Sequence, residues 1–153
     1  MTATEPATTR VNTTRFGVVE ADEEIIIELP DGLIGFEDCH RFVVVNLEQT
    51  APIAWLQSLD DGAVAFPIID PWLVVPKYSP VVCDFDAGVL GLSEDAPKLV
   101  YCVVTIPRGG ASMTMNLLGP IVINPLSRKG KQVIVLNDQY AVRHPINPSE
   151  IAH

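Results

Sequence analysis

The chain has 153 residues, 48% of them hydrophobic, and a formal net charge of −9. That length fits one domain with one solid core, and the hydrophobic content excludes a disordered acidic tail. Its apolar runs are short and broken by Pro or Gly, which excludes a membrane helix.

The leader, residues 1–14, is rich in Thr and Ala and lacks the apolar centre of a secretory signal, so it reads as a flexible, frayed segment of a cytoplasmic protein. A barrel domain is expected over 15–144 and a tail over 145–153. Apolar periodicity is mostly two, and β-branched residues dominate. In chain order, strands are expected at Arg15–Glu20, Glu24–Leu29, Arg41–Leu47, Ala54–Leu59, Val64–Ile69 and Val81–Phe85. Further strands are expected at Lys98–Ile106, Ser112–Leu118, Pro120–Asn124 and Gln132–Asn137. Arg41–Leu47, Lys98–Ile106 and Gln132–Asn137 are nearly continuous apolar runs, as in strands covered on both faces. Ser112–Leu118 alternates cleanly, as in a strand with one wet face.

Pro30-Asp31-Gly32, Asp60-Asp61-Gly62 and Arg108-Gly109-Gly110 mark turns. A short helix is hinted at Asp84–Leu92, with Phe85, Val89, Leu90 and Leu92 on one side and Gly88 and Gly91 weakening it. From Tyr140 the chain is thinly apolar, and this end is expected to lie over the barrel or to move freely. The fold class is therefore all-β: a compact, barrel-like single domain of about nine or ten short strands and at most one short helix.

Charge is unevenly placed. Residues 1–100 hold 17 acidic and 5 basic residues, against 2 and 5 in 101–153. The densest block holds Glu20, Asp22, Glu23, Glu24, Glu28, Asp31, Glu37 and Asp38 with no Lys or Arg among them. Such a field repels nucleic acid and attracts basic partners. Scattered carboxylates can equally serve solubility, but an unbroken block of one sign favours a binding role.

Catalytic motifs are weak by comparison. Cys39-His40 is the one adjacent thiol–imidazole pair, and neighbours in an extended segment point to opposite faces. It supports the alternative reading, a small-ligand-binding or hydrolytic barrel using Cys39 and His40. Three widely spaced cysteines argue for reduced thiols and against a disulfide framework. His40, His144 and His153 lack zinc-site spacing. Asp84-x-Asp86-x-Gly88 matches only the start of a calcium loop, since positions six and twelve hold Val89 and Asp95. Asp60-Asp61 reads as a solvated loop tip, and Arg128, Lys129 and Lys131 as a loop without the aromatics of a nucleic-acid platform. No metal or cofactor is expected.

Particular residues add up to a family. Phe16-Gly17 is followed by Leu29-Pro30-Asp31-Gly32-Leu33-Ile34-Gly35-Phe36-Glu37, then Phe66-Pro67-Ile68, Pro76-x-Tyr78 and Val103-Val104-Thr105-Ile106-Pro107. Met115-Asn116-Leu117-Leu118-Gly119-Pro120-Ile121-Val122-Ile123-Asn124 and Gly130-x-Gln132-Val133 complete the series. In this order, over most of residues 15–140, the chain resembles the bacterial flagellar assembly factor FliW family. The segment Val81–Leu92 departs from that pattern, being richer in Gly and apolar residues than a helix there would be.

The resemblance implies a non-enzymatic barrel that binds newly made flagellin, and also CsrA, the small RNA-binding dimer that represses flagellin translation. It implies partner exchange: abundant flagellin occupies the factor and frees CsrA, and export reverses this. A monomer that binds neither nucleic acid nor membrane is expected. The partner surface is placed at Glu20, Asp22, Glu23, Asp31, Leu33, Glu37, Asp38, Asn116 and Asn124. Leu33, Ile34 and Trp72 are expected to meet flagellin. Gly32 and Gly35 permit a sharp turn that Phe36 anchors by packing inward, and the Asn116 and Asn124 amides hold the turn at Gly119-Pro120.

Overall fold

The computed structural model describes residues 8–93, 95–109, 112–147, 149 and 151. Among these residues eleven strands and one α-helix follow in chain order: β1 (Thr8–Thr13), β2 (Gly17–Asp22), β3 (Ile27–Glu28), β4 (Arg41–Val45), β5 (Ala54–Ser58) and β6 (Ala65–Ile69). Then come α1 (Asp84–Leu90), β7 (Leu99–Thr105), β8 (Thr114–Met115), β9 (Ile121–Asn124), β10 (Lys129–Gln132) and β11 (His144–Pro145). The main sheet runs β7-β6-β5-β4-β3-β10-β9, and a β7–β9 pairing closes it into a seven-stranded barrel. Strand β7 forks: Leu99–Tyr101 pair with β9, whereas Val104 and Thr105 pair with β8, which in turn carries β11.

Side-chain alternation across the pleat explains three apolar layers. Phe42, Leu56, Ile68, Ile121 and Ile123 fill the barrel, with Val44, Phe66, Tyr101 and Val103 packed against them. Val100, Cys102, Val104 and Val122 face outward into a second layer beneath Tyr78, Leu90 and Ile146. Val43 and Ile26 support the β1–β2 hairpin through Ala21, Val11 and Val19. The continuous runs at β4 and β7 are thus strands buried on both faces, as expected.

Several elements differ from expectation. Thr8–Thr13, expected within a frayed leader, form β1 and pair in full register with β2; residues 1–7 lie outside the described residues. A 3₁₀ turn at Glu23–Ile25 takes the start of the strand expected over Glu24–Leu29, and only Ile27 and Glu28 pair. Only Thr114–Met115 of Ser112–Leu118 is strand. β10 starts at Lys129, ahead of the expected Gln132–Asn137, because Gly130 fits where a Cβ would stand 2.8 Å from Leu29 Cδ2. His144–Pro145 pairs with β8 and Ile146 is buried, so this part of the tail lies on the barrel.

Asp84–Leu90 is helical, and not a strand at Val81–Phe85. The helix turns a different face inward from the one its apolar spacing predicts: Asp86 and Leu90 are buried, whereas Phe85 and Val89 are exposed. An ion pair decides this. Lys131 Nζ lies 2.6 Å from Asp86 Oδ1, and the Asn124 amide donates to the Leu90 carbonyl at 2.8 Å. The hydrogen bond from Lys131 holds the Asp86 carboxyl below its ordinary value of 3.8. The same bond raises Lys131 above 10.5, with Asp31 adding to the field.

Asp86 therefore contributes stability above pH 3.8 that is lost as pH falls through its lowered folded value. The Lys131 share is complete below 10.5 and lost as pH rises through its raised folded value. Asp86→Asn is expected to cost about 1–3 kcal/mol at neutral pH. Urea unfolding should show the gap from wild type closing in acid.

Candidate functional site

A cavity of about 440 Å³ is lined by Leu33, Ile34, Phe66, Leu118, Gln132 and Ile134, with Arg143 as the charged side chain in its lining. Phe66 and Val103 belong to the inward face of the barrel wall, so the cavity is the mouth of the barrel.

One wall of the mouth is the loop after β3. The Phe36 amide donates to the Leu33 carbonyl at 2.7 Å, closing a tight turn with Ile34-Gly35 at its tip. Gly35 has φ +88, as the third position of a type II turn requires. Gly32 has φ +65, and its amide donates to Leu29 at 2.8 Å. Glu37 Oε1 accepts the Gly35 amide at 3.2 Å. Ile34 is left 69% exposed at the mouth. Phe36 does not pack inward: it is 41% exposed and meets Phe66 edge-on, with centroids 4.9 Å apart.

The opposite wall is the turn between β8 and β9. Asn116 Oδ1 accepts the Gly119 amide at 2.8 Å, which holds this turn as expected. Asn124 does not join it; its amide is spent on Leu90 and its oxygen accepts the Leu126 amide at 3.0 Å. Gln132 spans the two walls. Its Oε1 accepts the Ile34 amide at 3.1 Å, and its Nε2 donates to the Gly119 carbonyl at 3.0 Å.

The acidic block divides between two places. Glu20, Asp22 and Glu23 lie on the hairpin and its following turn, where Arg10 pairs with Glu20 at 2.9 Å and Arg41 with Glu23 at 3.2 Å. Asp31, Glu37 and Asp38 sit exposed on the mouth loop, and among the described residues none of them forms an ion pair. Asn116 is thus at the mouth with these acidic residues, and Leu33 lines it from within the core, buried and not exposed as a partner contact would be, whereas the hairpin acids and Asn124 are elsewhere. Trp72 is also away from the mouth, donating to the Tyr78 carbonyl at 2.8 Å. Phe66, Leu118, Gln132 and Ile134 were missed as site residues. Phe66, Leu118 and Gln132 stand within the recognised motifs, but only the closed barrel brings them together.

The catalytic alternatives dissolve on inspection. Cys39 is buried in the barrel core, while His40 is exposed with Nε2 2.7 Å from the Glu37 carbonyl. Asp60 spends its carboxylate on the His40 and Arg41 amides at 2.6 and 2.9 Å. Burial pushes the Cys102 thiol up to about 12. Lys131 is committed to Asp86, and Arg128 Nη2 donates to the Ile25 carbonyl at 2.7 Å, so two of the three basic residues are used internally and Lys129 is exposed. Among the described residues, no cluster of three metal-ligating side chains forms, and no helix is long and apolar enough to cross a membrane.

Fold and site together define a closed β-barrel whose organised surface is an apolar mouth beside unpaired carboxylates. The chain belongs to the FliW family, whose model, described as FliW protein, matches residues 9–146. It is 41% identical over 135 residues to the flagellar assembly factor FliW of Thermotoga neapolitana, covering 88% of this chain and 91% of that one. To the flagellar assembly factor FliW of Ruminiclostridium cellulolyticum it is 36% identical over 137 residues, covering 89% and 93%. A solved crystal structure of the flagellar assembly factor FliW superposes with a TM-score of 0.81 at 32% identity, covering 93% of this chain and 99% of that one. The family is one of assembly factors and not of enzymes.

Proposed function

We propose that the chain is a cytoplasmic, monomeric flagellar assembly factor that binds newly made flagellin and the translational regulator CsrA, coupling flagellin translation to export. One observation carries this reading: the unpaired carboxylates of Asp31, Glu37 and Asp38 stand on the loop that walls an apolar mouth. A basic RNA-binding protein is steered toward such a rim, and the same charge disfavours RNA once the complex has formed. Flagellin uses the apolar mouth through the exposed Ile34, which the buried Leu33 supports from beneath. Neither step needs a cofactor, and the net charge of −9 opposes direct nucleic-acid binding.

The test is a titration of purified CsrA and flagellin at low and high salt. CsrA association is expected to slow by about tenfold or more as salt screens the rim, with flagellin much less affected. A CsrA rate independent of salt would count against the electrostatic part. Failure of both proteins to bind would overturn the reading.

A further inference from the structure

We propose that Gln132 is a positioning residue: its one amide latches the acidic loop to the opposite wall of the barrel mouth, so that rim and mouth engage a partner as one surface. This rests on the reading above, that the mouth and its loop bind polypeptides.

The amide is used at both ends. Oε1 accepts from the backbone of Ile34 at the loop tip, and Nε2 donates to the Gly119 carbonyl in the facing turn. That turn is itself held by Asn116 Oδ1 on the Gly119 amide. Four residues therefore form a chain of hydrogen bonds from Ile34 through Gln132 and Gly119 to Asn116. Elsewhere the loop's hydrogen bonds are internal, Leu33–Phe36 and Gly35–Glu37, and its base is seated by buried Leu33 and by Phe36 against Phe66. Gln132 is the side chain that ties its tip across the cavity. Strand β10 is a rigid base for this tie, because it is paired to β9 through Gln132 itself.

With Leu33 still seated in the core, a tip released by Gln132 would carry Ile34 away from the mouth and loosen the carboxylates beside it. A partner would then have to order the loop on binding, which weakens the complex without removing any contact residue. Loss of the latch should therefore speed dissociation while leaving steered association almost unchanged. Gln132→Leu removes both hydrogen bonds at similar size. Gln132→Glu keeps an acceptor for Ile34 but loses the donor to Gly119, and it sets a negative charge against a carbonyl oxygen.

The experiment has two arms on the full chain. Hydrogen exchange reads the Ile34 amide, with the Leu56 and Phe42 amides as controls. Stopped-flow or surface binding reads association and dissociation of CsrA and flagellin. For Gln132→Leu, Ile34 exchange is expected to rise about tenfold with the controls unchanged, and dissociation of at least one partner to rise by about the same factor. Gln132→Glu should show an intermediate or equal effect, and it is the fallback if the leucine variant folds poorly. Unchanged Ile34 exchange in both variants overturns the latch. Faster exchange with unchanged dissociation overturns its role in binding. Wild type that binds neither partner overturns the underlying reading instead, and the exchange arm still decides the latch.

Discussion

Gly32→Ala is expected to destabilise the protein by about 2–4 kcal/mol, while Gly35→Ala, three residues on in the same loop, costs only about 1 kcal/mol. Both glycines have positive φ, +65 and +88, so both substitutions meet the backbone penalty of the left-handed region. They differ in space. A Cβ on Gly32 would lie 2.5 Å from the Phe36 carbonyl oxygen and 2.7 Å from Glu37 Cα, whereas one on Gly35 meets nothing within 4 Å. The obstacles at Gly32 are backbone atoms and cannot swing aside. The loop would have to open, breaking the Gly32–Leu29 and Leu33–Phe36 hydrogen bonds and moving Leu33 out of the core. Urea unfolding of the two variants separates the terms. Equal costs would show that conformation alone, and not close approach, restricts Gly32.

The second large effect is electrostatic. The double variant Asp31→Lys, Asp38→Lys should slow CsrA association about 10- to 100-fold at low ionic strength, with the gap shrinking as salt is added. The comparator is Glu20→Lys, Asp22→Lys on the hairpin, which makes the same change in net charge. If only total charge mattered, both variants would lose rate equally. The geometry predicts a smaller loss for the hairpin pair, because Glu20 is already answered by Arg10 at 2.9 Å and both residues lie on β2, not on the loop that contributes Leu33 and Ile34 to the mouth. Stopped-flow rates across a salt series measure both. A hairpin loss as large as the loop loss would show that the whole acidic block steers as one field.

The barrel was legible where chemistry is local. The apolar runs of β4 and β7 announce strands covered twice, and they lie between the core and its outer layers. Turn residues also placed the loop at Pro30-Asp31-Gly32 correctly. Elements set by distant partners were not legible. β1 is a Thr-rich segment with one apolar residue, Val11, and it is a strand because β2 pairs along its whole length. Lys129–Lys131 reads as polar loop, yet it is part of a wall strand because Gly130 admits Leu29 and Ile123. The buried face of α1 follows Asp86, a carboxylate that sequence pattern assigns to solvent, because Lys131 waits 2.6 Å away.

The site shows the same division. The acidic loop is contiguous in sequence, so its carboxylates were readable as one block. The mouth draws on Ile34, Phe66, Leu118 and Gln132, four segments that only barrel closure assembles. Asn116 and Asn124 look equivalent on either side of Gly119-Pro120, but one holds that turn and the other holds α1.

Hydrogen exchange of the wild-type chain, alone and saturated with purified CsrA or flagellin, probes the barrel mouth most directly. With bound partner, the amides of Leu33–Asp38, Leu118–Gly119 and Gln132–Ile134 should slow together, and those of the β1–β2 hairpin should not. Protection confined to the hairpin or to α1, with the mouth exchanging as in the free chain, would contradict the account.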